Sequence, residues 1–386
     1  MEVCSQKRCT VCGACISACP QNCISLKTNE YGFDYPIINN NLCIKCGKCR
    51  SVCHIINGVK KEYPRKAFAV WSNNPDDRKT SASGGAASVF YQKVLSEGGY
   101  CFGAAYDKDL NVVIKGYNSQ RVTEFKQSKY VHSYMNDSYN EIKALLNDNQ
   151  KVIFIGLPCQ IAALKSFLHK EYDNLLLVDL VCHGTPPISY LNEHIQYISN
   201  ITKSKIDSVQ FREDNVFCFS AYSDYEKKYS AHSSIDTYLL SFINCLTYYD
   251  SCYECEYACN ERSSDITIGD FWGLGLEIPF DHPYTGAISL VLTNSTKGDL
   301  FFDSVKKDLF CEERTVAEAL KGNAQLNSPS ERNSDRDSFL SLYLNQGFEH
   351  ATYEIYKRLI KKNKIILFKN NIKNKLRITA KKILRK

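Results

Sequence analysis

The chain has 386 residues, 44% hydrophobic and 23% charged, which is enough for two or three domains and too apolar for a disordered chain. Its net charge of +6 is uneven: residues 351–386 carry 13 Lys or Arg and one acidic residue, Glu354. The remainder carries 35 Lys or Arg against 41 Asp or Glu, a balance that gives no reason to expect nucleic-acid binding.

Cysteine is the outlier, at 19 residues. The start, MEVCSQKR, has no apolar leader, and no apolar run approaches the roughly 18 residues of a membrane span. The expectation is a cytoplasmic protein whose cysteines bind metal rather than form a disulfide scaffold.

Residues 1–60 hold ten of the cysteines and an internal repeat, about 1–29 and 34–63. Cys9-x2-Cys12-Gly13-x-Cys15-x3-Cys19 recurs as Cys43-x2-Cys46-Gly47-x-Cys49-x3-Cys53. Three closely spaced thiolates of such a run wrap one face of a [4Fe–4S] cubane, and the fourth reaches the cubane of the other run. On that rule Cys9, Cys12, Cys15 and Cys53 hold one cluster, and Cys43, Cys46, Cys49 and Cys19 hold the second. A zinc knuckle uses two CxxC pairs, not two runs of four. Large aliphatics are too few here for a separate core, so the clusters must do what burial cannot. Tyr31–Pro36 reads as a short strand and turn. Cys53 is followed by His54 where the bacterial run has proline, as Cys19 does with Pro20. Cys4 and Cys23 are surplus to the runs.

After a linker at 60–65, residues 61–330 alternate apolar strands with helices. Strands are expected at 67–72, 100–106, 112–117, 151–155 and 175–181, and helices at 86–95, 141–146, 159–168 and 188–198. The pattern predicts an α/β body with a mixed or partly parallel sheet, headed by a two-cluster bacterial ferredoxin-like domain. Elements between 206 and 320 are less regular.

Three features of the body carry chemistry. Cys159 and Cys182 each follow a buried strand, and Cys252 and Cys255 form a CxxC with Cys259 four residues on. Spacing alone leaves two readings equally open, a shared cluster or separate thiols beside a zinc-like CxxC. Ser81-Ala82-Ser83-Gly84-Gly85 precedes a helix and reads as an ordinary cap or as a phosphate cradle. Gln127-Ser128-Lys129-Tyr130 reads as a solvated loop or as a cation and hydroxyl for a diphosphate.

Taken in order, the ferredoxin run, SASGG, SKYVHS, GLPCQIAALK, DLVCHGTPP and CYEC…DITIGDFWG resemble the coenzyme F420 hydrogenase/dehydrogenase beta-subunit family over about residues 1–330. The resemblance implies an iron–sulfur flavoprotein that binds FAD. It also implies a third cluster on Cys159, Cys182, Cys252 and Cys255. Ser83, Gly84, Gly85, Ser128, Lys129 and Tyr130 match the flavin-facing segments, and Leu157 stands where relatives often have Thr. Many bacterial relatives of this ferredoxin-headed form lie near surface-polysaccharide genes.

The function so implied is an oxidoreductase that passes electrons from clusters through FAD to an organic small molecule. Ferredoxin or another redox donor supplies the electrons. The alternative is a non-catalytic electron-transfer subunit feeding a partner enzyme. His183, beside Cys182, is the nearest proton-donor candidate, with a structural role the competing reading. Residues 331–386 form a basic helical tail. Leu359, Ile366, Phe368, Ile372, Leu376, Ile383 and Leu384 interleave there with Lys and Arg, as in a solvated basic helix or one lying on an anionic membrane.

Overall fold

The computed structural model describes residues 2–213 and 216–383; among the tail positions, the side chains of Leu376 and Ile383, and all of Leu384, lie outside the described set. In the head, β1 (Ile24–Thr28) and β2 (Asp34–Ile38) pair antiparallel with Ile24 opposite Ile38. The strand and turn expected at 31–36 are the turn and second strand of this hairpin. Each cysteine run turns into a one-turn helix, Ala14–Ser17 or Lys48–Ser51, through a left-handed glycine, Gly13 (φ +78°) or Gly47 (φ +76°).

The body strands begin with β3 (Lys66–Ser72), β4 (Tyr100–Tyr106), β5 (Val112–Tyr117), β6 (Val152–Gly156) and β7 (Leu175–Leu180). A separate antiparallel sheet follows: β8 (Ser208–Glu213), β9 (Val216–Ser223) and β10 (Glu226–His232). The chain then adds β11 (Ile266–Asp270), β12 (Ser289–Thr293) and β13 (Leu309–Arg314) to the main sheet. The main sheet has eight strands in the order β13-β3-β12-β11-β7-β6-β4-β5. Its centre is parallel, with β4, β6, β7 and β11 running together, and its flanks are antiparallel. Every residue of β6 and β12 is buried, as strands covered on both faces require.

Parallel neighbours end on one edge. Gly156 of β6 lies opposite Asp179 of β7, and Leu180 of β7 opposite Ile268 of β11. Cys159, Cys182 and Asp270 therefore stand at the same carboxyl edge, where ligands collect in such sheets. The small sheet, with helices Ile188–Thr202 and Thr237–Ile243, packs a separate core beside that edge.

The expected tail, residues 331–386, does not separate from the body by packing. Helix Arg336–Ile383 breaks at Gly347 (φ +73°), and Phe339, Phe348, Ala351, Tyr356 and Ile360 are buried in the core shared with the small sheet. The helix stands clear of the body only later, where Ile365, Ile366, Phe368 and Ile372 are exposed. Among the described residues, no helix is long and apolar enough to cross a membrane.

Candidate functional site

The head thiols fall into two groups. Cys9, Cys12, Cys15 and Cys53 line one small cavity, with Cys4 on its wall. Cys19 and Cys23 stand together, Sγ to Sγ 3.3 Å, and Cys43 is close enough to act on Cys23. The turn around the first group is strained at Val11, a β-branched residue at φ +54°, and Lys45 takes the matching φ of +55° in the second run. The body holds the first turn in place: His132 Nε2 lies 3.3 Å from the Val11 carbonyl, and the Tyr139 hydroxyl donates to the Cys12 carbonyl at 2.9 Å.

Cys159, Cys182, Cys252 and Cys255 line a second small cavity. Burial first, and then the Cys255, Cys182 and Cys252 thiols, push Cys159 well above its ordinary range. Burial with the neighbouring thiols also pushes Cys182 and Cys252 up to about 12. Arg262 borders this cavity and is buried. It donates to the Asp179 carboxylate (2.7 Å), Thr267 Oγ1 (3.2 Å) and the Tyr257 carbonyl (2.8 Å), tying the CxxC loop to the sheet. Cys259 lies off the cavity wall, its thiol among the Glu256 and Glu261 carbonyls and Lys61. Among the described residues, no three His, Cys, Asp or Glu side chains come close enough to share one metal ion. A cubane sets its thiolates farther apart, because irons and sulfides lie between them.

The third cavity is the large one, about 760 Å³, over the carboxyl edge of the sheet. That is the size of a small-molecule or cofactor site. Ser83, Gly85, Ser128, Lys129 and Tyr130 line it, as do Leu157, Cys182 and His183. It opens onto the N-terminus of helix Ala86–Ser96, entered through left-handed Gly85 (φ +94°) with no side-chain cap. Ser83 Oγ is buried there without a hydrogen-bond partner. Uncapped amides beside an orphaned hydroxyl suit a phosphate. Arg212 of β8 reaches across the cavity to the Tyr130 hydroxyl (2.6 Å), the Ala82 carbonyl (2.8 Å) and Asp270 (2.8 Å). Burial holds His183 below its ordinary pKa.

Of the predicted contacts, Gly84 falls elsewhere and Lys129 is turned to other partners. Gly84 is not on the cavity wall: its carbonyl accepts from the Ser72 amide, and a Cβ on it would collide with the Val70 carbonyl oxygen. Its lack of a side chain serves sheet packing. Lys129 lines the cavity, but its ammonium meets the Phe125, Lys126 and Gln127 carbonyls, and burial lowers its pKa to about 7.

Residues 149–319 match the family described as coenzyme F420 hydrogenase/dehydrogenase, carboxyl terminus of the beta subunit. That stretch, which holds Cys159, Cys182, Cys252 and Cys255, is of the beta-subunit type. Residues 8–55 match the 4Fe–4S dicluster domain, so the F420 hydrogenase/dehydrogenase-type body carries an iron–sulfur, electron-transferring head. A ferredoxin-like protein of Azotobacter vinelandii is 32% identical over 66 residues, which are 17% of this chain and 60% of that protein. The chain thus spans under two thirds of that relative's length. A chain of the F420-reducing [NiFe] hydrogenase complex from Methanosarcina barkeri aligns with a TM-score of 0.45 at 15% identity, over 71% of this chain and 97% of that one. Sequence reasoning missed Arg212, Thr10 and Tyr257. Arg212 sits in an unremarkable strand. Arg262 and Asp270 at least flank or close the DITIGD segment, one of the motifs that carry the resemblance.

Proposed function

We propose that the chain is an FAD- and iron–sulfur-dependent oxidoreductase that carries electrons from its head clusters, through a third cluster on Cys159, Cys182, Cys252 and Cys255, to a flavin in the large cavity. The carrying observation is that the three cavities share walls in series. Thr10 borders both the head-thiol cavity and the body-thiol cavity. Leu157, Cys182, His183, Gly184 and Thr185 border both the body-thiol cavity and the large cavity.

Bound FAD would supply the conversion between one-electron cluster transfer and two-electron hydride delivery. The Ser83 hydroxyl and the free amides of helix Ala86–Ser96 fit its phosphates. Arg212 places Tyr130 and Asp270 around the cavity and adds fixed positive charge. Lys129 supports this wall through the backbone carbonyls it joins. The acceptor is an organic small molecule entering the same cavity; its assignment to surface-polysaccharide metabolism rests on the resemblance alone. We place the protein in the cytoplasm, where its thiols stay reduced until metallated.

The family's description as a beta subunit favours a second reading, a relay that feeds a partner enzyme. Anaerobic purification with iron, sulfide and flavin quantification tests the first reading. Bound FAD in the isolated chain supports it, and full iron with no flavin after reconstitution supports the relay.

A further inference from the structure

Cys46 is the one cysteine of the 19 that is exposed. It lies in Leu42-Cys43-Ile44-Lys45-Cys46-Gly47-Lys48, a segment with no hydrogen bond or ion pair to the body among the described residues. In this segment and at the end of β2 just before it, Leu42, Ile44 and Ile37 are 55%, 61% and 43% exposed, bare aliphatics that folding leaves unused. Lys45 and Lys48 are exposed beside them, and neither is in an ion pair among the described residues.

The charge pattern is one-signed. Residues 35–61 hold no Asp or Glu and five Lys or Arg, on a chain whose first 350 residues are net acidic. Lys7 and Arg8 pair with Glu254 and Glu256, Lys60 with Glu62, and Arg50 caps the Val3 carbonyl, while Lys27 lies in β1 toward the turn end of the hairpin. Of the exposed acids, Glu30 lies in the β1–β2 turn, the opposite end of the hairpin from Ile37, and Glu2 lies near Arg50.

We propose that this face, Ile37, Leu42, Ile44, Lys45 and Lys48 around Cys46, is the docking surface for a small acidic electron-transfer protein of the ferredoxin type. The proposal rests on the cluster reading above. A small apolar centre ringed by like charge is the anatomy of a transient redox encounter, where steering sets the rate. An acidic donor gains nothing from the mildly acidic body and is attracted to this face of the head. Docked, its reduced cluster loses one electron and the cluster of Cys43, Cys46, Cys49 and Cys19 gains it, with no proton or bond change. The same placement fixes the order of transfer: this cluster is the port, and the cluster on Cys9, Cys12, Cys15 and Cys53 is the one next to the body.

The test uses the full chain, anaerobically reconstituted, with a reduced acidic bacterial 2[4Fe–4S] ferredoxin as probe and dithionite as the small-molecule control. The second-order rate of electron uptake from ferredoxin is expected to fall as salt rises. Lys45→Glu/Lys48→Glu should lower it at least about tenfold at low ionic strength and flatten its salt dependence. Lys45→Arg/Lys48→Arg should keep it. Dithionite should reduce all forms alike. Ile37→Asp, outside the cysteine run, should slow the ferredoxin reaction in the same way if the double variant loses iron. Full iron with wild-type ferredoxin rates in the Glu and Asp variants overturns the docking face. Wild-type protein without head clusters under dithionite overturns the cluster reading, and the docking face with it.

Discussion

The Tyr257 hydroxyl lies 2.6 Å from His54 Nδ1, across the joint between head and body. His54 is the residue that replaces the proline of the ferredoxin run. Proline could make neither this bond nor the one at the other ring nitrogen, where Nε2 stands 3.0 Å from Thr10 Oγ1. The ring is fully buried, so both bonds are made away from water. The departure from the ferredoxin pattern thus fastens the first cluster's turn to the loop that carries Cys252 and Cys255.

Removing that link leaves a buried partner unsatisfied. Tyr257→Phe and His54→Ala are each expected to lower unfolding free energy by about 1–3 kcal/mol. The double variant should cost less than the sum. Urea midpoints of the metallated protein measure this, with iron content as control. Unchanged midpoints, or strict additivity, would remove the bridge from the account.

A second buried histidine joins the C-terminal helix to the body. His194 Nδ1 pairs with Glu349, and Nε2 lies 3.2 Å from Asp236 Oδ2. Tyr229 donates to Asp236 and Thr237 to Glu349. Burial opposes the charge on His194, but the Asp236 and Glu349 carboxylates outweigh it and raise the pKa to about 10. The unfolded chain titrates near 6.5. Between those values the folded state holds the extra proton, so stability is full below about 6.5 and is lost as pH rises toward 10. Wild-type protein should therefore lose stability more steeply over that window than His194→Gln. Parallel curves for the two would contradict the assignment. The variant should also be less stable at neutral pH, because it leaves buried Asp236 and half-buried Glu349 without their cation.

The SASGG segment separates folding from ligand binding. Gly84→Val drives a side chain into the Val70 carbonyl and should abolish the fold, not merely flavin uptake. Ser83→Ala removes only the orphaned hydroxyl and should keep the melting temperature while lowering FAD occupancy several-fold. Circular dichroism and flavin released by acid decide this. Full occupancy in Ser83→Ala, or release of FMN from the wild type, would count against the proposed site.

The tail is testable once its packed part is spared. Tyr356 and Ile360 are in the core and Asn363 bonds the Ser234 carbonyl, so truncation should begin after them. The full chain is expected to co-sediment with anionic liposomes at low salt, and the chain lacking residues 365–386 is not. Equal recovery of both would leave the exposed Ile366, Phe368 and Ile372 as part of a solvated helix.

The sequence revealed those parts of the molecule that spacing and local pattern encode. Eight head thiols, the central strands and the two strand-end cysteines were legible because each is written within a few residues. Long-range pairings were not. Arg212 meets Tyr130, Ala82 and Asp270 only after β8 folds over the sheet edge, and His54 finds Tyr257 across 203 positions. Composition misled where it stood for packing. The tail was drawn from 331, where the resemblance ends, with its basic excess from 351, yet Phe339, Phe348 and Ile360 inside it complete a core. Gly84 read as a ligand cradle because a glycine before a helix looks the same whether a phosphate or a strand lies against it.

The central claim is the relay through the body thiols, and iron counting on one variant tests it most directly. Three cubanes correspond to about twelve irons per chain and the head alone to about eight. Anaerobically reconstituted wild type is expected to hold about twelve, and Cys182→Ala about eight, with FAD retained and reduced by dithionite but only slowly by reduced ferredoxin. Wild-type protein that stops at about eight irons, or a Cys182→Ala variant whose flavin is reduced by ferredoxin at the wild-type rate, would contradict the relay.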